Sequence, residues 1–497
     1  MSALSGPTRA GGFASLLGRL SSLARELVFA AVFGASSASD LWLAAARVPN
    51  LFRDVLAEGA MAAALVPALA RRQQEAGPIG AFSLLNALLG VLLGVLGLLT
   101  GAMMWFAEPA ARLVAAGFEQ TPGKLELTSS LVVWAAPGLA AASLSSAVGA
   151  LLQVQGRFFI PALTPVVVNL AVIGACVLGE GDAEQRVWRL AVASTLGGAL
   201  GVVVQLGAAW RSGYRLSPHV RGHPALRPLL VTLGPAMIGV LAGQASGLID
   251  TRFASAAGDG ALSAVTYAYR LAQLPRSLAA VPIATAGLAV IAAALSRQEP
   301  ATARKHARDV LASSVWVGLP AMLLIGFWSE PLVRAVYQRG AFVEADVRAT
   351  AAVLQAYSPT ALAFVLHSAV VAVLAAWGDT RWPMWVALFA VGLKVPLAAW
   401  WVSRSGVEGI AWAHSAIILG ETLFLLLVLQ HTVRVGWPRL GRTFVGFAVM
   451  ALTLRVGAEL PSAWTPGAAV MDLLLPLLSI GVYVLAAGLP AGLRRDK

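Results

Sequence analysis

Charge is scarce in this chain, cysteine is nearly absent, and no long polar block interrupts it. Only 12% of the 497 residues are charged and 58% are hydrophobic. The mean hydropathy is +0.77. Soluble domains carry about a quarter charged residues, so the composition excludes a water-soluble globular fold. The single Cys176 lies in an apolar run. That excludes an internal disulfide and a cysteine-based metal cluster. Several chemical motifs are also missing. No Gly-x-x-x-x-Gly-Lys-Ser/Thr loop is present, which excludes ATP hydrolysis by the chain itself. No His-Glu-x-x-His helix and no Gly-x-Ser-x-Gly elbow occurs. No loop gathers the acids that metal-assisted glycosyl transfer requires. The expectation is a protein that is not an enzyme and needs no cofactor.

Apolar runs fill the length instead. Each is long enough to cross about 30 Å of hydrocarbon, and hydropathy with Gly and Pro punctuation divides them into about fourteen spans. The limits fall near 11–34, 40–70, 81–107, 125–152, 159–179, 187–210, 226–256, 262–295, 306–328, 346–376, 383–402, 407–431, 440–459 and 467–490. The stretch Met1–Ala10 is short and lacks a small-residue cleavage site, so the first run reads as a retained helix. The fold expected is an all-α polytopic membrane protein.

The net charge of +12 would point to nucleic acid in a soluble protein. Here the excess sits in short loops. Arg71 and Arg72, Arg157, Arg211 to Arg227, Arg297 to Arg308, Arg381, and Arg434 to Arg442 fall on one side when the connections alternate. The C-terminus adds Arg494, Arg495 and Lys497. The bias places both termini in the cytoplasm and removes the case for nucleic acid.

The chain also repeats itself. Trp105-Phe106-Ala107-Glu108-Pro109 is similar to Phe327-Trp328-Ser329-Glu330-Pro331, with 330 − 108 = 222. Pro137 and Pro359, Gly156 and Gly378, and Pro161 and Pro383 share that offset. Six spans separate the copies, so the halves have parallel topology. This predicts two pseudo-symmetric six-helix lobes, 1–220 (spans 1–6) and 221–435 (spans 7–12), with spans 13–14 at 436–497 outside the repeat.

Charged residues inside apolar runs mark sites, because each costs about 2.5–3.5 kcal/mol at mid-bilayer. Arg19 and Arg25 lie in span 1, Arg47 and Arg53 in or beside span 2, and Arg270 and Arg276 in span 8. Left in hydrocarbon, the six would cost more than about 15 kcal/mol. A hydrated cavity between the lobes avoids that cost. Arg19 and Arg25 differ by about 120° around a helix and about 9 Å along it, which suits a broad chamber. Guanidinium groups bind phosphate and pyrophosphate bidentately. The competing reading has individual arginines snorkelling to the interface or pairing with Glu26, Asp40, Asp54 or Glu58.

Asp250, Lys394 and Glu421 form a second intramembrane set, on spans 7, 11 and 12. They read as an ion site for Na⁺ or H⁺, or as a structural ion pair built on Lys394. The ion pair is favoured, because a fixed ammonium discourages a metal cation nearby. His219 and His223 have metal-ligand spacing but no further ligands, so a solvated loop is expected there. Pro49, Pro137, Pro161, Pro165, Pro235, Pro275 and Pro359 are expected to kink their spans.

The run Arg47-Val48-Pro49-Asn50-Leu51-Phe52-Arg53-Asp54-Val55-Leu56-Ala57-Glu58-Gly59-Ala60 resembles the signature of the MurJ (MviN) family. These are lipid II flippases of the multidrug/oligosaccharidyl-lipid/polysaccharide exporter superfamily. Supporting matches are Phe33-Gly34 with Asp40, Gly156-Arg157-Phe158-Phe159-Ile160-Pro161 continuing to Pro165 and Asn169, Gly234-Pro235 with Gln244, and Gln338-Arg339-Gly340-Ala341-Phe342. The resemblance implies a fourteen-helix, V-shaped flippase of the bacterial inner membrane. Its substrate would be lipid II, an undecaprenyl-diphosphate-linked muropeptide, moved outward by alternating access. It further implies membrane lipids as surroundings, wall-synthesis proteins as partners, and a lipid-tail groove at spans 13 and 14.

On that resemblance, Arg19, Arg25, Arg53 and Arg270 are the substrate-binding residues. Asp40, Arg47, Asn50, Glu58 and Gln273 are gate or supporting residues. Gln273 stands where many members have an acid, Tyr269 replaces a frequent acid, and Asp54 stands where a basic residue is common. Lys394 falls near a Na⁺ site proposed for some members. The expected driving force is the membrane potential, with Na⁺ or H⁺ as coupling ion. The alternatives are a flippase for another polyprenyl-diphosphate-linked glycan, a cation-coupled drug exporter, a membrane glycosyltransferase and a wall-synthesis scaffold. A cationic chamber repels lipophilic cations, which weighs against the drug exporter.

Overall fold

Hydrocarbon offers a backbone no water to bond with, so a chain this apolar must close its own hydrogen bonds in helices. The computed structural model describes residues 5–56, 60–179, 181–219, 223–436, 440–459 and 468–488. All its regular elements are helical. The chain groups into two compact units, Met1–Ser263 with Arg339–Val343, and Ala264–Gln338 with Glu344–Lys497.

Unit 1 contains α1 (Ser5–Phe33), α2 (Ser37–Leu56), α3 (Ala60–Trp105), α4 (Ala107–Val114), α5 (Lys124–Ala135), α6 (Pro137–Val154), α7 (Phe159–Val177), α8 (Ala183–Trp210) and α9 (Leu226–Ser255). It ends within the first turn of α10 (Ala261–Ala272). Unit 2 continues α10 and adds α11 (Val281–Ser296), α12 (Pro300–Tyr337), α13 (Glu344–Ala356) and α14 (Ser358–Ala376). It closes with α15 (Arg381–Ser405), α16 (Glu408–Thr432), α17 (Gly441–Glu459) and α18 (Ala468–Ala487). These units divide the chain differently from the blocks 1–220, 221–435 and 436–497. The reason is α9, which packs on α2 and α3 and so groups with the first unit.

Among the described residues, nine helical stretches are long and apolar enough to cross a membrane. α1 and α2 are not among them. Arg19, Arg25 and Glu26 on α1, and Asp40, Arg47, Arg53 and Asp54 on α2, interrupt their apolarity. α3 breaks at Ala76 and Gly77, where Gly77 takes a left-handed φ of 66°. The expected limit between spans 2 and 3 falls at this break. Other breaks sit at proline, which lacks the N–H a helix needs. Pro137 opens α6 and Pro359 lies in the first turn of α14. Pro275 precedes a π-helical turn, Arg276–Ala280, that joins α10 to α11.

The internal repeat has the same local structure in both copies. Phe106, between α3 and α4, has φ −100° and ψ 27°. Trp328, inside α12, has φ −118° and ψ 22°. These two non-helical positions are separated by 328 − 106 = 222. One turn later Arg112 bonds Glu108 at 2.7 Å, and Arg334 bonds Glu330 at 2.7 Å. Gly156 and Gly378 are both left-handed, at φ 76° and 79°.

Each unit has its own core. In unit 1 the buried Gln205 on α8 donates to Ser145 on α6 at 2.7 Å and to Thr164 on α7 at 2.6 Å. In unit 2 Ile291, Leu311, Val370, Leu374, Leu425 and Leu429 pack α11, α12, α14 and α16 together. α17 and α18 pack on each other and on α12, through Leu323, Met450, Leu454 and Tyr483.

Candidate functional site

The expected binding arginines begin on α1, which packs on α7. Asn169 on α7 is buried and donates to Ser21 at 2.9 Å and to Ser22 at 3.0 Å. Those bonds fix the rotation of α1, the helix that carries Arg19 and Arg25. Arg19 is exposed, and Arg25 is half-buried beside Glu26 at 3.7 Å. Asn169 figured in the sequence only as part of a motif; its role as the clamp on α1 needed the structure.

α2 carries the next group and packs on α5, α8 and α9. Arg53 meets Asp54 at 3.1 Å and keeps 37% of its side chain exposed. The pairing with neighbouring acids expected as the alternative therefore holds for Arg25 and Arg53. A pair so exposed contributes at most about 1 kcal/mol. Arg47 and Asn50 are half-buried. The Arg47 guanidinium lies against the backbone of α9 at Gly247, where a Cβ would collide with it. Gly247 carries no sequence signal that separates it from other membrane glycines. Glu58 lies outside the described residues, as do Arg221, Arg439 and the C-terminal basic residues.

Asp40, one turn into α2, is fully buried. Its carboxylate accepts from the Gly260 N–H at 2.7 Å, the Ser263 N–H at 2.8 Å and the Ser263 hydroxyl at 2.5 Å. The Ser39 hydroxyl meets that of Ser263 at 2.7 Å. Asp40 thus caps the start of α10 from another helix, satisfying donors that a helix N-terminus leaves open. Next to it, Lys124 of α5 bonds Asp259 at 2.6 Å and lies 4.2 Å from the Phe118 ring. The Lys124 bond holds the Asp259 carboxyl below the usual carboxylate range. The segment Arg339–Val343 also belongs to this unit: the Ala341 N–H donates to the Ala31 carbonyl at 2.7 Å. Gly340 takes φ 59° there, and a Cβ would collide with that same carbonyl oxygen.

Unit 2 carries Arg270 and Gln273, both half-buried at the end of α10 and just beyond it. Arg270 therefore lies in a different compact unit from Arg19, Arg25, Arg47 and Arg53. Arg276, on the π-helical turn, places its guanidinium 5.2 Å from the Phe364 ring.

The second expected set is divided. Asp250 is on α9 and belongs to unit 1, whereas Lys394 and Glu421 belong to unit 2. Lys394 is fully buried, and its Nζ lies 3.1 Å from Nδ1 of His414. The sequence reading missed His414. Its only signal was the spacing of seven from Glu421, which places both on one face of α16. The loop histidines His219 and His223 bind backbone instead, at Ser217 O and Ala225 N. Among the described residues, no group of three or more His, Cys, Asp or Glu could hold a metal ion.

Comparison with known proteins was consistent over nearly the whole length. A family model described as "Lipid II flippase MurJ" matches residues 29–478. A "Probable lipid II flippase MurJ" of Rhizobium meliloti is 31% identical over 463 residues, covering 90% of this chain and 85% of that protein. A "Lipid II flippase MurJ" of Burkholderia cenocepacia is 28% identical, covering 91% and 89%. Among solved structures, one titled "Lipid II flippase MurJ, inward closed conformation" superposes with a TM-score of 0.79 at 23% identity, covering 97% of each chain. An inward-facing multidrug resistance MATE transporter superposes with a TM-score of 0.67 at 15% identity, covering 84% of this chain and 94% of that one.

Proposed function

The chain belongs to the lipid II flippase MurJ family, and from that premise we propose that it carries lipid II across the bacterial inner membrane for cell-wall synthesis. The observation that carries this is the family match from residue 29 to 478, which spans the signature at 47–60 and both copies of the internal repeat. The protein is a multi-pass membrane transporter that moves its lipid-linked substrate by alternating access, with lipid II and membrane lipids as its partners. Transport, rather than catalysis, is its activity. The loop arginines support a topology with both termini in the cytoplasm.

Arg19, Arg25, Arg53 and Arg270 are the proposed contacts for the diphosphate. Their side chains are exposed or half-buried, not sealed in a core, which suits a ligand that must enter and leave. Arginine stays charged at every physiological pH and matches phosphate oxygens in pairs. Asp40 has a supporting part, holding α2 to the start of α10 through three hydrogen bonds. An inside-negative potential favours outward passage of negative charge by about 2.3 kcal/mol per charge per 100 mV.

The test is complementation of a conditional lipid II flippase mutant. Wild type should rescue growth. Arg19→Ala, Arg53→Ala and Arg270→Ala, accumulating to wild-type levels, should not. Rescue by all three would remove the arginines from the site. Failure of a well-expressed wild type would move the substrate to another polyprenyl-linked glycan.

A further inference from the structure

Unit 2 buries a polar pair that diphosphate binding does not use. Lys394 on α15 is fully buried, and its Nζ lies 3.1 Å from Nδ1 of His414 on α16. The His414 ring meets three aromatic rings edge to face. Tyr269 of α10 stands at 5.1 Å, Tyr357 before α14 at 5.7 Å and Phe364 of α14 at 5.9 Å. Such packing keeps water out, and a charge placed there lacks its hydration.

The hydrogen bond itself limits the charge. For Nζ and Nδ1 to bond, one nitrogen must offer a lone pair. Either an ammonium donates to a neutral imidazole or the imidazole donates to a neutral amine. In both cases the packed pair holds one positive charge, not two. A second proton would remove the acceptor and place two like charges in contact, in a site without water to screen them. That state is tolerable only if α15 and α16 part enough to admit water.

Other ionisable groups surround the pair. Glu421, two turns along α16 from His414, is near enough to feel the Lys394 charge. His367 on α14 lies within reach of the Thr422 hydroxyl at 3.5 Å. Arg276 adds a cation from the π-helical turn. Tyr269 and Tyr357 offer phenols from α10 and from the junction of α13 and α14. The pair itself offers two nitrogens, whereas hard metal cations take oxygens. The cation that fits is the proton.

We propose that Lys394 and His414 form a proton-binding site, singly charged while α15 and α16 are packed and doubly charged when they part. The proton is then the cation coupled to conformational change in unit 2. The open state binds more protons, so acidification shifts the population toward it. The coupling to transport rests on the function proposed above; the proton site rests on the geometry alone.

Hydrogen exchange of the purified full chain in detergent, corrected for intrinsic rates, tests the site. A one-proton titration moves from about nine-tenths to about one-tenth occupied over roughly 2 pH units, and a histidine titrates between about pH 5 and 8. Peptides from α15 and α16 should therefore lose protection about tenfold as pH falls through that window, as such a titration requires. His414→Gln cannot take up a proton in that window, so its profile should be flat. Lys394→Gln leaves the imidazole without a like charge beside it, so its response should be smaller than that of wild type. A flat wild-type profile overturns the proposal. So does a response confined to other helices, or one retained in full by whichever variant folds.

Translocation of fluorescent lipid II in proteoliposomes separates this from the functional reading. Wild type should show a pH-dependent rate, and His414→Gln a rate that no longer varies over the same window. No translocation at any pH with the exchange response intact would overturn the lipid II reading and leave the proton site standing. Translocation independent of pH with the response intact would overturn the coupling.

Discussion

At the scale of single residues, the region around α2 is organised by a few hydrogen bonds and by one missing side chain. Asp40 is sealed from water yet meets three donors, so its burial is compensated. Gly247 contributes by lacking a side chain where Arg47 needs room. The Lys124–Asp259 pair gives the clearest prediction at this scale. The folded Asp259 carboxyl titrates below its ordinary value because Lys124 bonds it. Its contribution is therefore present above the unfolded aspartate range and is lost as pH falls through the folded value. Asp259 keeps 61% of its side chain exposed, so solvent screening makes the effect modest. In detergent, the thermal midpoint of Asp259→Asn should lie below that of wild type at about pH 7 and converge on it below about pH 3.9, the ordinary aspartate value. A gap that survives at acid pH would mean that the ion pair is not its source. Of these features the sequence displayed only Asp40, since charge in an apolar run is visible without partners. Ser263, Gly247 and Lys124 became informative once their partners were known.

Among the helical elements, the repeated breaks matter most. Membrane chains stay helical wherever they can, so a break kept at the same place in both halves has a specific local cause. Gly156 and Gly378 hold equivalent left-handed positions, and a Cβ on either would meet open space. Substitution there tests backbone conformation without a packing change. Gly378→Ala should destabilise by about 1–2 kcal/mol, and Gly378→Asn by less, because Asn enters the left-handed region more readily. Thermal unfolding of the two variants side by side decides it; equal losses would show that conformation is not the cause. Repeat spacing and proline positions made the breaks at Pro137 and Pro359 legible in the sequence. The division of unit 1 from unit 2 inside α10 was not. That depends on which helices pack together, and α9 reads the same by hydropathy whichever unit it joins.

At the scale of the whole molecule, scarcity of charge makes the remaining charges effective. Three of the four proposed contact arginines are in unit 1 and Arg270 is in unit 2. On the proposed cycle a diphosphate moves past fixed cations, so net charge crosses the membrane and the rate is expected to respond to voltage. An imposed inside-negative potential acts with about 2.3 kcal/mol per charge per 100 mV. In proteoliposomes of defined orientation, collapsing that potential with an ionophore should slow outward lipid II movement by roughly tenfold or more, since about 1.4 kcal/mol already corresponds to tenfold. A rate indifferent to voltage would mean that no net charge moves in the limiting step.

The sequence by itself determined that the chain is helical and membrane-embedded and that its halves repeat, and it singled out arginines as the proposed contacts. Each of these follows from properties that act residue by residue along the chain: transfer cost, spacing and charge. Only the tertiary structure decided that Asp250 groups with unit 1 and Lys394 and Glu421 with unit 2, that Lys394 meets His414, and that Asp40 caps α10. Partners on different helices are chosen by the rotation and packing of those helices. In hydrocarbon, many rotations bury apolar surface equally well. Hydropathy therefore cannot select among them, and the selection falls to the few polar groups that must find one another.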